Sequence, residues 1–190
     1  MSEELIHIIQ QCKKRDDKHA YYQLYRACYA DIFNIVIRYM PDHGDQSWML
    51  NKCFAKIALN LHHYDPQQPF HAWMRRVVIN EILDYLRKQS RRKRAESAAI
   101  NNTPHHPPTN NGIDQLQLQD LLRLVRRLPQ RTREVFNLYA IDGYKHDEIA
   151  KMLHISIGTS KWHLNHARTL LQQWIRQLYP EWNICKKAGQ

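Results

Sequence analysis

Residues 101–112 read Asn-Asn-Thr-Pro-His-His-Pro-Pro-Thr-Asn-Asn-Gly. No other stretch limits the fold so sharply. Three prolines, one glycine and six short polar side chains can form neither a helix nor a core, so the segment is predicted to be a flexible linker over 95–115. A chain of 190 residues cut there must place its apolar residues in two separate cores, predicted as domains 1–94 and 116–190. Both flanks carry apolar residues at spacings of three and four, and strand-like alternation occurs nowhere. The expected fold class is all-α, two helical domains with the linker between them.

In the first block, Leu5, Ile8, Ile9 and Cys12 mark a short helix over Ser2 to Lys14, started by Ser2 with Glu3 and Glu4. A second helix is predicted from His19 to Met40, ended by Pro41. Its stripe is Tyr21, Leu24, Tyr25, Cys28, Ile32, Ile35, Val36 and Tyr39. This is read as core, with a tyrosine platform for bases as the weaker alternative. A third helix covers Ser47 to Leu61, with Leu50, Phe54, Ile57 and Leu61 inward. His62 to Pro69 is a loop broken by Pro66 and Pro69. One long helix follows through Lys88, with a core face and a basic, aromatic face. It runs into Arg87-Lys88-Gln89-Ser90-Arg91-Arg92-Lys93-Arg94. A charge run is usually only solvated, but an aromatic-basic helix is what holds single-stranded nucleic acid by stacking and phosphate neutralisation.

In the second block, Leu118, Leu121, Leu122, Val125 and Leu128 form a stripe interrupted at Pro129. Thr132 to Ile141 is predicted helical, with Val135, Phe136 and Tyr139 inward, and Gly143 supplies its left-handed cap. Then Ile149, Ala150 and Leu153 define one short helix and, after a break at His154 to Ser156, Leu164, Ala167 and Leu171 define another, extended by Trp174, Ile175 and Leu178 to Pro180. Two helices across a tight turn make a helix-turn-helix, whose second helix can enter a DNA major groove. At 100° per residue, Lys161, Trp162, Asn165, His166 and Thr169 point away from the apolar stripe. They offer the hydrogen-bond donors that base and phosphate contacts require. The alternative is a solvated helical hairpin without a ligand.

Charge favours the groove reading. There are 28 Lys and Arg against 18 Asp and Glu. Residues 1–94 hold 16 basic and 10 acidic side chains, residues 116–190 hold 12 and 6, and the linker holds two acidic ones alone. Two basic blocks suit one polyanion gripped by two surfaces. An anionic membrane is the rival, without an isolated basic amphipathic helix to support it. Cys12, Cys28, Cys53 and Cys185 form no CxxC pair, and the twelve histidines are scattered. No metal and no cofactor is therefore expected, and Cys28 and Cys53 read as small core residues. No signal peptide and no spanning apolar run occurs, so a cytoplasmic protein is expected.

Pro69-Phe70-His71-Ala72-Trp73-Met74, with Asn80 and Asp84-Tyr85-Leu86-Arg87, resembles the second region of bacterial RNA polymerase sigma factors. Leu128-Pro129-Gln130-Arg131-Thr132-Arg133-Glu134-Val135-Phe136, with Gly143 and Glu148-Ile149-Ala150, resembles the fourth region. Ile155-Ser156-Ile157-Gly158-Thr159, Lys161, Leu164 and Ala167-Arg168 complete its helix-turn-helix. Order, spacing and the short linker resemble the extracytoplasmic-function group of the sigma-70 family, over about residues 20–94 and 116–176. The C-terminal motif alone is also similar to two-component response regulators.

The resemblance implies a non-catalytic specificity subunit whose partners are RNA polymerase core, at the beta-prime clamp helices and the beta flap, and promoter DNA, with an anti-sigma factor as a further candidate. No small-molecule substrate and no membrane is implied. Polymerase binding falls on Trp48, Asn51, Lys52 and Lys56. The downstream promoter element, as single strand, falls on His62, His63, Tyr64, Phe70, Trp73, Arg75, Arg76, Asn80, Arg87 and Lys88. The upstream element falls on Thr159, Lys161, Trp162, His163, Asn165, His166 and Arg168. Opening would need no ATP, since captured bases offset unstacking at a few kcal/mol per base.

Several residues depart from the family pattern. Ser47, Trp48, Asn51 and Lys52 stand where an acidic, glutamine-containing helix is usual. Lys145 replaces a Ser/Thr helix cap, Ser160 a core Val, and Trp162, His163 and His166 replace smaller or arginine residues. A divergent promoter or a specialised polymerase would accommodate them. The alternative from another class is a helix-turn-helix regulator that never joins polymerase, and residues 62–94 discriminate, because such a regulator has no need of them. No catalytic constellation occurs, so an enzyme is not expected.

Overall fold

The computed structural model describes residues 3–15, 17–41, 45–97 and 118–178. Those residues contain helices and their connections, and no strand. The chain divides into two compact units, 1–109 and 110–190.

The first unit contains α1 (Glu3–Arg15), α2 (Lys18–Tyr39), α3 (Gln46–Asn60), a 3-10 turn (Leu61–His63) and α4 (Phe70–Ser97). α2 is its spine, packed by α1, α3 and α4. Asp17 caps it, the side chain accepting from His19 N–H at 2.9 Å. It stops at Met40 because Pro41 cannot continue a helix. Ala20, Leu24, Cys28, Ile32, Ile35, Val36 and Tyr39 are its buried stripe. Tyr21 and Tyr25, expected in that stripe, are only half-buried. The Cys28 and Cys53 thiols are core groups, pushed up to about 12 by burial. α4 keeps Met74, Val78, Ile79, Ile82 and Leu83 inward. It runs through Ser97, so the first three residues of the expected linker are helical. The rest of that linker, with Ser2, Cys185 and the tail, lies outside the described residues.

The second unit contains α5 (Leu118–Arg127), α6 (Gln130–Phe136), a π-helical turn (Asn137–Ile141), α7 (His146–Leu153) and α8 (Ile157–Leu178). The buried stripe of α5 is Leu124 and Val125, continued by Leu128 just past its end, whereas Leu121 is exposed. Arg133 joins α5 to α6. Its guanidinium is buried and Nη1 donates to Arg126 O at 2.9 Å and Leu128 O at 3.2 Å. A cation there satisfies carbonyls that the end of α5 leaves without helical partners. Glu134, also buried, accepts from Arg131 Nη1 at 2.8 Å and Gln130 Nε2 at 3.1 Å. Burial raises its pKa.

Two expectations are corrected here. The helix expected over 132–141 starts two residues earlier, after Pro129, and ends in a π turn. A π turn holds an extra residue, which shifts the register of everything after it. Tyr139, expected inward, therefore faces out and stacks on His146, with centroids 4.6 Å apart. Between α7 and α8, the left-handed residue is His154, at φ 53°. Gly158 sits in the first turn of α8. Gly143 does close its helix as expected, at φ 78°.

A left-handed residue with a Cβ is strained by roughly 1–2 kcal/mol, partly offset by the greater chain entropy of glycine when unfolded. His154→Gly is therefore expected to stabilise the second unit by about 0.5–1 kcal/mol. Urea unfolding of the full chain measures this, and a midpoint that stays put or falls refutes it.

Candidate nucleic-acid and polymerase interfaces

On the first unit, the segment between α3 and α4 is a closed loop built around Tyr64. Tyr64 N–H donates to Leu61 O at 3.1 Å, and its hydroxyl donates to Gln68 O at 2.7 Å. Asp65 Oδ1 accepts from Gln67 N–H at 2.9 Å, a side-chain turn of the kind aspartate favours. Tyr64, Phe70 and Trp73 form one aromatic cluster, with centroids 5.3 to 5.7 Å apart. Tyr64 is 3% exposed and Phe70 is 0% exposed. Both were expected to meet single-stranded DNA. They are instead buried against each other and Trp73 where the loop meets α4. Trp73 is half-buried at the rim. His62 and His63 are exposed, with rings 3.9 Å apart.

Along α4, Arg76 and Asn80 are exposed and share a face with Trp73 at helical spacing. Arg75 is also exposed but lies about 100° round the helix. It lines a cleft against α2 with Asp31, Asn34, Arg38 and His71, where His71 Nδ1 pairs with Asp31 at 3.0 Å. The structure thus separates Arg75 from the Trp73–Arg76–Asn80 face. Arg87 pairs with Asp84 at 2.8 Å, and Lys88 is exposed.

The expected polymerase residues lie on the outer face of α3. Trp48 is 50% exposed and leans on Tyr85 of α4 at 5.2 Å. Lys52 folds back over Trp48 at 5.0 Å and Tyr85 at 5.8 Å, and pairs with Glu81 at 2.8 Å. Asn51 accepts from Tyr25 OH at 3.2 Å, and Lys56 is exposed. The sequence reading missed the neighbours of this face. Tyr22 and Tyr29 are exposed, and Tyr25 meets Phe54 and Tyr29 edge-on at 4.9 and 5.8 Å. Positions 22, 25, 29 and 33 of α2 hold aromatics at spacings of three and four. That second stripe was the available signal.

On the second unit, Lys145 precedes α7 at the cap position. Its N–H donates to Glu148 Oε2 at 2.8 Å. An ammonium has no lone pair to return, so only that half of a capping box forms. Ser156 starts α8, with Oγ accepting from Thr159 N–H at 2.9 Å. Lys161, Trp162, Asn165, Arg168 and Thr169 are all exposed along α8. Trp162 stacks on His166 at 5.0 Å and 16°, so the two rings form one flat wall. Arg168 lies 6.0 Å over the Tyr139 ring.

His163 was expected on the DNA side and is corrected. It shares the inner stripe with Ser160, Leu164 and Ala167, and its Nδ1 lies 3.1 Å from Thr132 Oγ1 on α6. Ser160, where an apolar residue was expected, is fully buried and lies 2.9 Å from His146 Nδ1 on α7. Two imidazoles therefore tie α8 to α6 and α7 in place of purely apolar contacts. Among the described residues no group of three His, Cys, Asp or Glu side chains could hold a metal. No described helix is long and apolar enough to cross a membrane.

Both histidines titrate below the ordinary 6.5. For His146 the cause is burial, then the charges of Lys161 and Arg168; for His163 it is burial, then Arg131 and His166. The unfolded chain takes up these protons near pH 6.5, while the folded unit resists until lower pH. Stability from neutral burial is thus complete above 6.5 and declines as pH falls from there through the folded values. The second unit is expected to lose stability as pH falls below the ordinary histidine value of 6.5, and the His146→Gln/His163→Gln variant should flatten that slope. Equal slopes in both proteins would assign the pH dependence elsewhere.

The family model for Sigma-70 region 2 matches residues 24–92, and that for Sigma-70 region 4 matches residues 118–171. The chain is 24% identical over 190 residues to the ECF RNA polymerase sigma-E factor of Escherichia coli K12, covering 94% of this chain and 98% of that protein. It is 21% identical over 178 residues to the RNA polymerase sigma-H factor of Pseudomonas aeruginosa, covering 88% and 92%. The fold is similar to the sigma factor RpoE of Bartonella quintana, solved with the anti-sigma factor NepR, at a TM-score of 0.54 and 20% identity, covering 82% of this chain and 96% of that one. With the two regions matched in order, on the two units that carry the faces described above, this chain belongs to the extracytoplasmic-function group of the sigma-70 family.

Proposed function

We infer that this protein is a sigma factor: it binds RNA polymerase core, recognises promoters and directs the start of transcription. The observation that carries the reading is the ordered pair of region 2 and region 4, since a regulator that never joins polymerase has no use for the first. Sigma factors are non-catalytic initiation factors, and this one acts in the cytoplasm, where its polymerase and promoters are. An anti-sigma partner is in keeping with the Bartonella relative solved with one. Run-off transcription with purified bacterial core polymerase tests the whole reading. Specific transcripts that depend on this chain are expected, and their absence across promoters selected from a random pool would overturn it.

The residue roles follow from exposure. Trp48, Asn51 and Lys56 meet the polymerase clamp, with the α2 tyrosines beside them. The rim of the closed loop, His62, His63 and Trp73, together with Arg76 and Asn80, receives an unpaired base of the downstream element. Arg75, Arg87 and Lys88 neutralise phosphates nearby. α8 enters the major groove of the upstream element. There Asn165 reads a base edge, Trp162 with His166 forms an apolar wall, and Thr159, Lys161 and Arg168 hold phosphates.

Asn165→Ala should relax preference at one base pair by roughly 1–3 kcal/mol. Lys161→Ala should weaken all sequences alike and reduce the salt slope by about one. Binding of the full chain to a selected duplex at several salt concentrations separates the two. Loss of preference in the Lys161 variant, with none in the Asn165 variant, would reverse the assignment. For the polymerase face, Trp48→Ala with Asn51→Ala should lower retention of core polymerase in a pull-down, and unchanged retention moves that interface off α3.

A further inference from the structure

α1 lies outside the matched regions, yet its end is wired to the capture loop. Lys13 Nζ donates to Tyr64 O at 2.6 Å and stands 5.4 Å from the centroid of the Tyr64 ring. Tyr64 is the residue around which the loop closes, so one ammonium from 51 residues earlier holds its backbone in place. Beside this contact a cleft of about 370 Å³ opens between α1, α2 and the start of the loop. Lys13, Lys14, Tyr21 and His62 line it, over a floor that includes Ala58 and Leu61. Among the described residues, no carboxylate lines it. The nearby Asp17 is turned to the start of α2, where it accepts from His19 N–H. Lys13 commits one of its three donors to Tyr64, leaving two. Lys14 is exposed on the cleft wall, and His62 is exposed at the loop's first turn. Two ammonium groups and an imidazole above an apolar floor suit an anion. The volume is at the small end for a ligand site, enough for part of one nucleotide and too small for a duplex.

We propose that this cleft seats a phosphodiester of the unpaired promoter strand, which makes α1 part of the single-strand path and Lys13 the residue that positions the capture loop. This rests on the reading of residues 62–80 as the single-strand site. A strand whose base enters at the loop rim must continue past it, and His62 belongs to both the rim and the cleft. The phosphate that follows the captured base then meets Lys14 and the free donors of Lys13.

The test uses full-length protein assembled with core polymerase. The probe is a fluorescent single-stranded oligonucleotide of the downstream element, taken from a promoter that the holoenzyme selects. Lys14→Gln should weaken oligonucleotide binding about three- to tenfold and reduce the salt slope by about 0.7, the increment for one phosphate on a single strand. Lys14→Arg should restore both, and binding to the fully paired upstream duplex should not change. Lys13→Gln should lose more than Lys14→Gln and also weaken base preference at the captured position, because the loop loses its tie. Arg76→Ala is the reference. If it weakens the oligonucleotide while Lys14→Gln leaves affinity and slope intact, single-strand capture stands and the cleft is off the path. Should neither change matter, the capture reading falls and the cleft with it. Unaltered base preference in Lys13→Gln would remove the positioning role.

Discussion

α8 has to be buried along one stripe and bare along the other, and most of the second unit follows from that requirement. Ser160, Leu164 and Ala167 are its buried positions, and α5, α6 and α7 all pack against it. Apolar burial at roughly 25 cal/mol per Å² is non-directional, so it settles that α8 is held but leaves its rotation loosely specified. A helix that reads bases needs its rotation set within narrow limits. Here the His146–Ser160 and His163–Thr132 contacts supply the direction. They reach two different neighbours, α7 and α6, so α8 is held at two points by groups that must be aligned to bond. The departures from the family pattern at positions 160 and 163 belong to this one device.

The first unit meets the same need by other means. The surface proposed to receive an unpaired base is a loop, which has no helix axis to set its orientation. The loop buries its own rings, Tyr64 and Phe70, and closes its backbone through Tyr64, Gln68 and Asp65. What remains outward is a rim of His62, His63 and half-buried Trp73, next to Arg76 and Asn80. A rigid rim can capture a base without first paying the entropy of ordering itself.

Helix positions and most inward stripes were legible from apolar spacing, because the period is local. Leu5, Ile8, Ile9 and Cys12 are all buried, as are Leu164 and Ala167. Tyr139 was misplaced because a π turn shifts register without a local signature. Tyr64 and Phe70 were misread because an aromatic ring in a loop can face either way. What turns Tyr64 inward includes a lysine 51 residues away. His163 was misassigned because a polar residue on the inner face needs a partner, and Thr132 comes from another helix. For Tyr64 and His163 the deciding contact is tertiary. Burial inside a helix has a period that one sequence displays; the pairing of polar groups between helices has none.

The face proposed for polymerase follows the same logic. Lys52 stands out in the sequence as a charge of unexpected sign on the helix that the family resemblance assigns to the clamp. In the fold it pairs with Glu81 and lies over Trp48 and Tyr85. Its charge is thereby partly matched within the unit, and its methylene stem covers ring surface. What α3 offers a partner is then less a cation than an amphipathic strip, with Trp48 and Asn51 flanked by the exposed tyrosines of α2. Aromatic residues enriched over charged ones at the centre of a contact are characteristic of protein interfaces. A substitution that looks like the loss of an acidic contact is thus accommodated by a change in the chemistry of the face, from charge pairing toward aromatic burial.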